Sequence, residues 1–459
     1  MGRCGRVPWC RARQQHTDHQ DTSCCRHFRI ADRRAGKAAS KDDRSGMKKR
    51  LVAIIVVCAA IVLVVPVSAA DFHRGVSIHN MMNWAQTAPG SQIYASHPFS
   101  GPDYDVPDEL LSNIAASGMD FIRLTVDPGP FLAFKGSNRA NLDALLVSNI
   151  KRITGYGLGV VINFHPISQV EKFSGKLIIE DEHNGLFDEY VAMVGHTAAL
   201  ISGIDLPRVA IEPFNEPPRG YNDADVVRWG RMLKRIHDAV RTNAPDMILI
   251  VSGARGGGLR GLLDLDPAPL NDSRTLFSFH YYEPHIFTHQ AVQRSRKSPL
   301  WYLRYLSSVP YPAGSGSAEA VWQGALLAIE ADGDLTAGEK LSTIERLRKE
   351  FDAYVDSGWN RKNIEADFDK VVEWAQRNHI PNERIFVGEF GVRRTYGRYT
   401  GADPVSRAAW LTDVRKAAEE RGFAWAIWHA LGYGGMAIVD HDETSELHVP
   451  TLRALGLSQ

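Results

Sequence analysis

Eight short apolar runs, separated by stretches with helical periodicity, constrain the fold of this chain more than any other feature. They are Arg74–His79, Phe121–Val126, Gly159–His165, Arg208–Glu212, Met247–Ser252, Leu276–Tyr281, Ile385–Glu389 and Phe423–Trp428. Most lack a polar/apolar alternation, the pattern of strands buried on both faces. Between them lie helical patterns at Pro107–Ser117, Leu142–Thr154, Gly185–Ile201, Asp223–Thr242, Ile364–Asn378 and Pro404–Glu420. The first opens with Pro and Asp and stops at Gly118, the usual asymmetry of helix ends. In Asp223–Thr242 the residues Val226, Trp229, Met232, Leu233, Ile236 and Val240 keep helical spacing, as expected of a helix covering a sheet. Eight strands alternating with helices predict an α/β fold, a (β/α)8 TIM barrel.

One interval is too long for that plan. From Tyr282 to Arg384 the chain spends about 100 residues where one helix and two loops need far fewer. Residues 286–362 are therefore expected to form an inserted subdomain on the strand-end face. Its aromatics include Trp301, Tyr302, Tyr305, Tyr311, Trp322, Phe351, Tyr354 and Trp359. They suit a ligand cleft wall or the insert's own small core.

The first 70 residues are of another kind. All five cysteines lie there. From Met47 a basic stretch (Lys48, Lys49, Arg50) precedes an apolar run, Leu51–Val65, and then small residues up to Ala70. That is the layout of a secretory signal peptide over 47–70, with a retained membrane anchor as the alternative. Residues 1–46, rich in Arg and Cys, make no sense before such a signal and are read as a non-native upstream extension. The catalytic domain is then 71–459, exported to a secreted or periplasmic location, or tethered to the membrane if the signal is uncleaved. Residues 1–70 hold 14 Lys+Arg and 5 Asp+Glu of the chain's 53 and 53, so the remainder is net −9. A nucleic-acid partner is not expected of such a surface. Without cysteine, the domain must hold its fold by its core. A monomer is expected.

Chemistry concentrates at the ends of the runs. Ile211-Glu212-Pro213-Phe214-Asn215-Glu216-Pro217-Pro218 presents an amide, a carboxylate and a forced stop after the fourth run, because proline cannot continue a central strand. Barrels place their chemistry at such C-terminal strand ends. A second carboxylate closes the seventh run, in Gly388-Glu389-Phe390-Gly391. Two carboxylates at strand ends are the minimum equipment for cleaving a glycosidic bond: one protonated as general acid, one ionised as nucleophile.

Taken in order, these strand ends resemble glycoside hydrolase family 5, the cellulase family of the retaining (β/α)8-barrel clan. Arg123 ends strand two and His165 strand three. Asn215-Glu216-Pro217 follows strand four, His280-Tyr281-Tyr282 ends strand six, Gly388-Glu389-Phe390-Gly391 ends strand seven, and Trp425-Ala426-Ile427-Trp428 strand eight. The resemblance implies Glu216 as acid/base and Glu389 as nucleophile in a double displacement. It implies substrate-binding roles for Asn215 at the sugar 2-OH, for Arg123 and Tyr282 on Glu389, for His165 and His280 along the site, and for a platform Trp. Trp428 is preferred for the platform and Trp425 is the second candidate. The implied substrate is a β-linked polysaccharide or oligosaccharide, first of all a β-1,4-glucan cleaved internally, with β-mannan, β-1,3-glucan or xyloglucan as alternatives. A catalytically inactive polysaccharide-binding barrel is the alternative of another class. No metal or organic cofactor is required.

Other features are weaker. His79-Asn80 and Asn83-Trp84 follow strand one and suit substrate contacts, with His79 the stronger candidate. Strand one lacks the His-x-His of metal-dependent barrels. Val251–Gly258 is glycine-rich but lacks the Lys-Ser/Thr ending of a phosphate loop. Glu283 suits either a substrate contact or the first residue of the insert.

Overall fold

The computed structural model describes residues 72–458 apart from 168, 205, 218–221, 397–399, 433–434 and 442–443. The proposed signal and the upstream stretch lie outside the described residues. Eight parallel strands close into a barrel in chain order: β1 (Arg74–Met82), β2 (Phe121–Val126), β3 (Gly159–Phe164), β4 (Val209–Glu212), β5 (Ile248–Ser252), β6 (Thr275–Tyr281), β7 (Ile385–Phe390) and β8 (Ala424–Ile427). Helices α1 (Asp108–Ala116), α2 (Gly136–Thr154), α3 (Gly185–Ser202) and α4 (Asp223–Asn243) follow the first four strands. The TIM barrel is thus the architecture of the chain.

Strand pleat decides what the barrel encloses. Phe121, Val161, Ala210, Ile250, Leu276 and Ala424 belong to one small core cluster, separate from the main core. Successive side chains on a strand point to opposite faces. Counting by twos from that layer reaches Arg123, Asn163, Glu212, Ser252 and Ser278, and then His280. All are buried. The inside of the barrel is therefore apolar below and polar above, and the polar layer opens at the C-terminal strand ends.

The fourth strand ends where the sequence predicts, and the first runs further. β4 ends at Glu212, so Asn215 and Glu216 lie in the turn beyond it. The reason is Pro213, which has no N–H to give the ladder. β1 runs on to Met82, with a register shift against β2 after Ile78.

Between β6 and β7 come α5 (Ala318–Ala331), α6 (Ala337–Ser357) and α7 (Arg361–Arg377), and α8 (Pro404–Glu419) links β7 to β8. A capping box at Thr336 and Glu339 starts α6, and Gly358, at φ 57°, ends it. Six of the insert's aromatics are buried: Tyr302, Tyr305, Tyr311, Trp322, Phe351 and Tyr354. The hydroxyls of the four tyrosines meet partners in the protein; Tyr305 donates to Asp332 at 2.7 Å and Tyr354 to the Pro310 carbonyl at 2.6 Å. These six form a core, not a sugar-stacking wall.

Candidate active site

Arg123, at the centre of β2, is fully buried and organises the site. Its Nε and Nη2 donate to Glu212 Oε2 and Oε1 at 2.6 and 2.9 Å. Nη1 donates to Glu389 Oε1 at 2.7 Å, and Nη2 also to Asn215 Oδ1 at 2.8 Å. A rigid planar fork suits this division among several acceptors.

Glu389 stands near the end of β7, its side chain 5 % exposed. Its other oxygen accepts from Tyr282 Oη at 2.9 Å and lies 3.6 Å from His280 Nδ1. A register shift between β6 and β7 sets His280 opposite Glu389. The shift brings the backbone of Gly388 so close that a Cβ there would stand 2.6 Å from Ser278 Oγ. Only glycine fits that approach.

Glu216 faces this group from the turn after β4. Its φ is 40°, in the left-handed region, and its side chain is 45 % exposed. Non-glycine residues held there carry strain, and such strain gathers at functional sites. His280 Nδ1 lies 3.0 Å from Glu216 Oε1. Oxygens of Glu216 and Glu389 and a ring nitrogen of His280 all stand within 4.8 Å of one another. Three such ligand atoms could hold a cation, but Arg123 already supplies a positive charge to Glu389.

The three groups titrate together. Burial raises Glu389 above the ordinary carboxylate range, against the opposing charges of His280 and Arg123. Partial loss of water at the strand ends also acts to raise Glu216, although its side chain is 45 % exposed, but the hydrogen bond and charge of His280 outweigh it and hold Glu216 low. Burial acts to lower His280, and the two carboxylates overcome that and raise it. The Glu216–His280 hydrogen bond and the buried Glu389 are thus electrostatically coupled, so the three groups exchange protons as a unit.

Three further sequence candidates stand together beside Asn215. His165 is half-buried; its Nδ1 lies 3.1 Å from Asn163 Oδ1 and its Nε2 3.3 Å from Asn215 Nδ2. Trp428 stacks on His165, centroids 5.7 Å apart at 22°, and meets His79 edge-on at 5.2 Å. Burial, His429 and Arg123 push His79 down to about 3, so it is neutral. Its Nε2 accepts from Trp84, whose ring is 51 % exposed.

Trp425 is not in the site. It is fully buried on the outer face of β8, edge-on to Phe390, and its Nε1 donates to Glu419 of α8 at 3.2 Å. Inward positions of β8 are Ala424 and Ala426. Glu212 is the residue the sequence reading passed over. The signal was present: two residues beyond an inward Ala210, a carboxylate must point inward too.

The pattern of the cellulase family, glycosyl hydrolase family 5, matches residues 84–434. The chain belongs to that family. It is a glycoside hydrolase, and the family retains anomeric configuration. Endoglucanase C of Acetivibrio thermocellus is 22% identical over 349 residues, 74% of this chain and 89% of that protein. Endoglucanase 3 of Fibrobacter succinogenes is 21% identical over 383 residues, 80% of this chain and 51% of that one. Among solved structures, Thermotoga maritima Cel5A with cellobiose aligns at TM-score 0.58 and 20% identity, covering 84% of this chain and 98% of the other. A family 5 xyloglucanase from Paenibacillus pabuli aligns at TM-score 0.59 and 16% identity, covering 84% and 98%. At these identities the structural likeness speaks for the fold.

Proposed function

We propose that this chain is an endo-β-1,4-glucanase working by double displacement, with Glu216 as acid/base and Glu389 as nucleophile. One observation carries the reading: the two carboxylates face each other with oxygens within 4.8 Å. Retention requires carboxyl groups about 5–5.5 Å apart, whereas inversion leaves a gap for water.

Roles follow from surroundings. Glu389 must be ionised to attack the anomeric carbon. Arg123 and Tyr282 donate to its two oxygens and favour the ionised form, against the burial that raises it. Glu216 must deliver a proton to the leaving oxygen. Its bond to His280 keeps a proton one hydrogen bond away, and its exposure leaves it open to the leaving group and then to water. After the glycosyl ester forms on Glu389, Glu216 takes the proton of the attacking water. Asn215, fixed by Arg123, turns its amide toward the sugar 2-OH. The half-buried face of Trp428 is the platform beneath the sugar, where an aromatic plane suits axial C–H groups.

A β-1,4-glucan is favoured because the relatives matched in sequence bear the name endoglucanase. β-Mannan is the second reading, since the Thermotoga maritima fold relative has been crystallised with mannotriose as well. Residues 47–70 remain proposed as an export signal, with an N-terminus near Asp71 expected in the mature protein.

The test is a hydrolysis screen on carboxymethyl-cellulose, mixed-linkage glucan, mannan and laminarin, with NMR of the first-formed anomer. Retained configuration and fastest cleavage of β-1,4-glucan are expected. Inverted product refutes the double displacement, and activity confined to mannan or laminarin refutes the glucan assignment. Replacing Glu216 by Ala should cost about 10²–10⁴-fold in kcat. A binding-only barrel would cleave none of the four.

A further inference from the structure

The barrel interior beneath His280 breaks a rule of protein cores. Nε2 of His280 and the hydroxyl oxygens of Ser252 and Ser278 are all buried, and none has a hydrogen-bond partner among the described residues. Ser252 and Ser278 are register partners on β5 and β6, and His280 is the next inward residue of β6. On β7, a Cβ at Gly388 would stand 2.6 Å from Ser278 Oγ and 3.1 Å from His280 Nε2, so these two atoms flank one spot. The inward positions of three adjacent strands are here serine, serine and glycine. One layer down they are Ile250, Leu276 and Phe386, which pack the interior. Small side chains thus replace large ones where a buried ring nitrogen has no partner.

The ring's other sides are crowded with charge. Nδ1 lies 3.0 Å from Glu216 Oε1 and 3.6 Å from Glu389 Oε2. Glu389 also accepts from Arg123 of β2 and Tyr282 of β6, and His165, after β3, lies in the field of the ring. Glu212 Oε1, on β4, is 4.0 Å from Nε2, too far for a hydrogen bond, and both Glu212 oxygens accept from Arg123. Glu389 and Glu216 together favour the imidazolium over the neutral ring, against its burial. An imidazolium is a donor at both nitrogens. Its Nδ1–H has Glu216. Its Nε2–H has no protein acceptor, although buried donors are normally paired and charged ones most of all.

We propose that Ser252 and Ser278 hold a buried water against Nε2 of His280, and that this water completes the hydrogen bonding of the imidazolium beside Glu216. A buried water typically makes about three hydrogen bonds to polar groups that would otherwise go unpaired, and three such atoms are present. The water accepts from Nε2–H, and the two hydroxyls, able to accept or donate, take its hydrogens. The serines act through the water on His280, and His280 acts on Glu216, so both serines are positioning residues. This consequence rests on the acid/base reading of Glu216. A hydrogen bond to the charged form keeps the last proton on the Glu216–His280 pair up to a higher pH, and the general acid stays loaded there.

Two measurements test this. A crystal structure of the wild-type protein, at a resolution that shows ordered water, should place one water within about 3.2 Å of Ser252 Oγ, Ser278 Oγ and His280 Nε2. The pH profile of kcat/KM, on whichever glycan is cleaved fastest, should then separate wild type from the double variant Ser252→Ala/Ser278→Ala. Without its partners the water holds Nε2–H less well and the imidazolium loses stability. The last proton therefore leaves the pair at lower pH, and the basic limb should fall by about one pH unit. Purely structural damage would lower the whole profile and leave that limb in place. Should the double variant not fold, each single replacement should move the limb the same way by less. The crystallographic arm needs no activity, so it stands even where the glucanase reading fails. The proposal falls if Nε2 meets no water in the density, or if the water is there and the basic limb of the variants stays at the wild-type pH.

Discussion

Arg123 and Glu212 form a two-armed ion pair, 2.6 and 2.9 Å, with both side chains almost completely shielded from solvent. The pair fixes the guanidinium plane, and the remaining Nη1 then points at Glu389. Glu212 acts through Arg123: it positions the residue that holds Glu389, the proposed nucleophile. Replacing Glu212 by Gln should lower kcat by about 10²-fold with little change in KM, since small misplacements of reacting groups cost that much. It should also destabilise the fold by about 3–5 kcal/mol, the cost of breaking a buried pair. With Glu212 neutral, the charge of Arg123 acts more fully on Glu389, so the acidic limb of kcat/KM should move to lower pH. Purely structural damage would leave that limb in place.

Tyr282→Phe should move the same limb the other way. The Tyr282 hydroxyl donates to Glu389 at 2.9 Å and favours its ionised form. Without it the carboxyl of Glu389 rises further, more of it is protonated at a given pH, and the acidic limb moves up. A loss of about tenfold in kcat at neutral pH is expected, the size of one hydrogen bond to a charged group. An unmoved limb would separate Tyr282 from the ionisation of Glu389.

Most of this geometry was legible in the sequence because buried parallel strands announce themselves as continuous apolar runs. Their last residues are then known to within one or two positions. His280, Tyr282 and Glu389 come together for that reason, whereas Arg123, expected at the end of its strand, lies in the middle of β2 and reaches them from below by its length. Glu212 is masked in the sequence by its neighbours: Asn215-Glu216 carries the more specific pattern, although the chain leaves the strand at Pro213. Trp425 and Trp428 could not be separated by composition. They lie three apart, which puts them on opposite faces of a strand, but the inward face is set by which residues fill the barrel. Small Ala424 and Ala426 fill it, so Trp425 goes outward. The insert's aromatics were ambiguous because a small core and a sugar cleft use the same side chains; burial decided for the core.

Those two tryptophans should respond oppositely to truncation. Trp428→Ala should reduce kcat/KM by about 10- to 100-fold through loss of the stacking face, while melting near the wild-type temperature. Trp425→Ala should cost about 3–5 kcal/mol by leaving a cavity between β8 and α8. Its kcat and KM per folded molecule should stay near wild type. Kinetics and urea denaturation of both variants check the pair, and a stable, inactive Trp425→Ala would return that residue to the site.

Asp127, directly after β2, gives the fold a pH dependence of its own. It is fully buried; Oδ1 accepts from the Gly129 amide at 2.9 Å, and Oδ2 has no partner among the described residues. The hydroxyl of Tyr94 is likewise buried and unpartnered there, and the chain at Gly129 passes so close that a Cβ would lie 1.9 Å from it. Burial raises the carboxyl to about 7, against the backbone hydrogen bonds of Gly129 and Ala85. A carboxyl raised on folding costs nothing while both states are protonated, below about pH 4. As pH rises the unfolded chain ionises first, so stability falls until about pH 7 and is then level. Asp127→Asn keeps the acceptor for Gly129 and removes the ionisation. It should match wild type near pH 4 and exceed it at pH 8 by roughly 2–4 kcal/mol. Urea unfolding at both values measures the gap. A gap that does not widen with pH would show that Asp127 is ionised in the folded protein throughout.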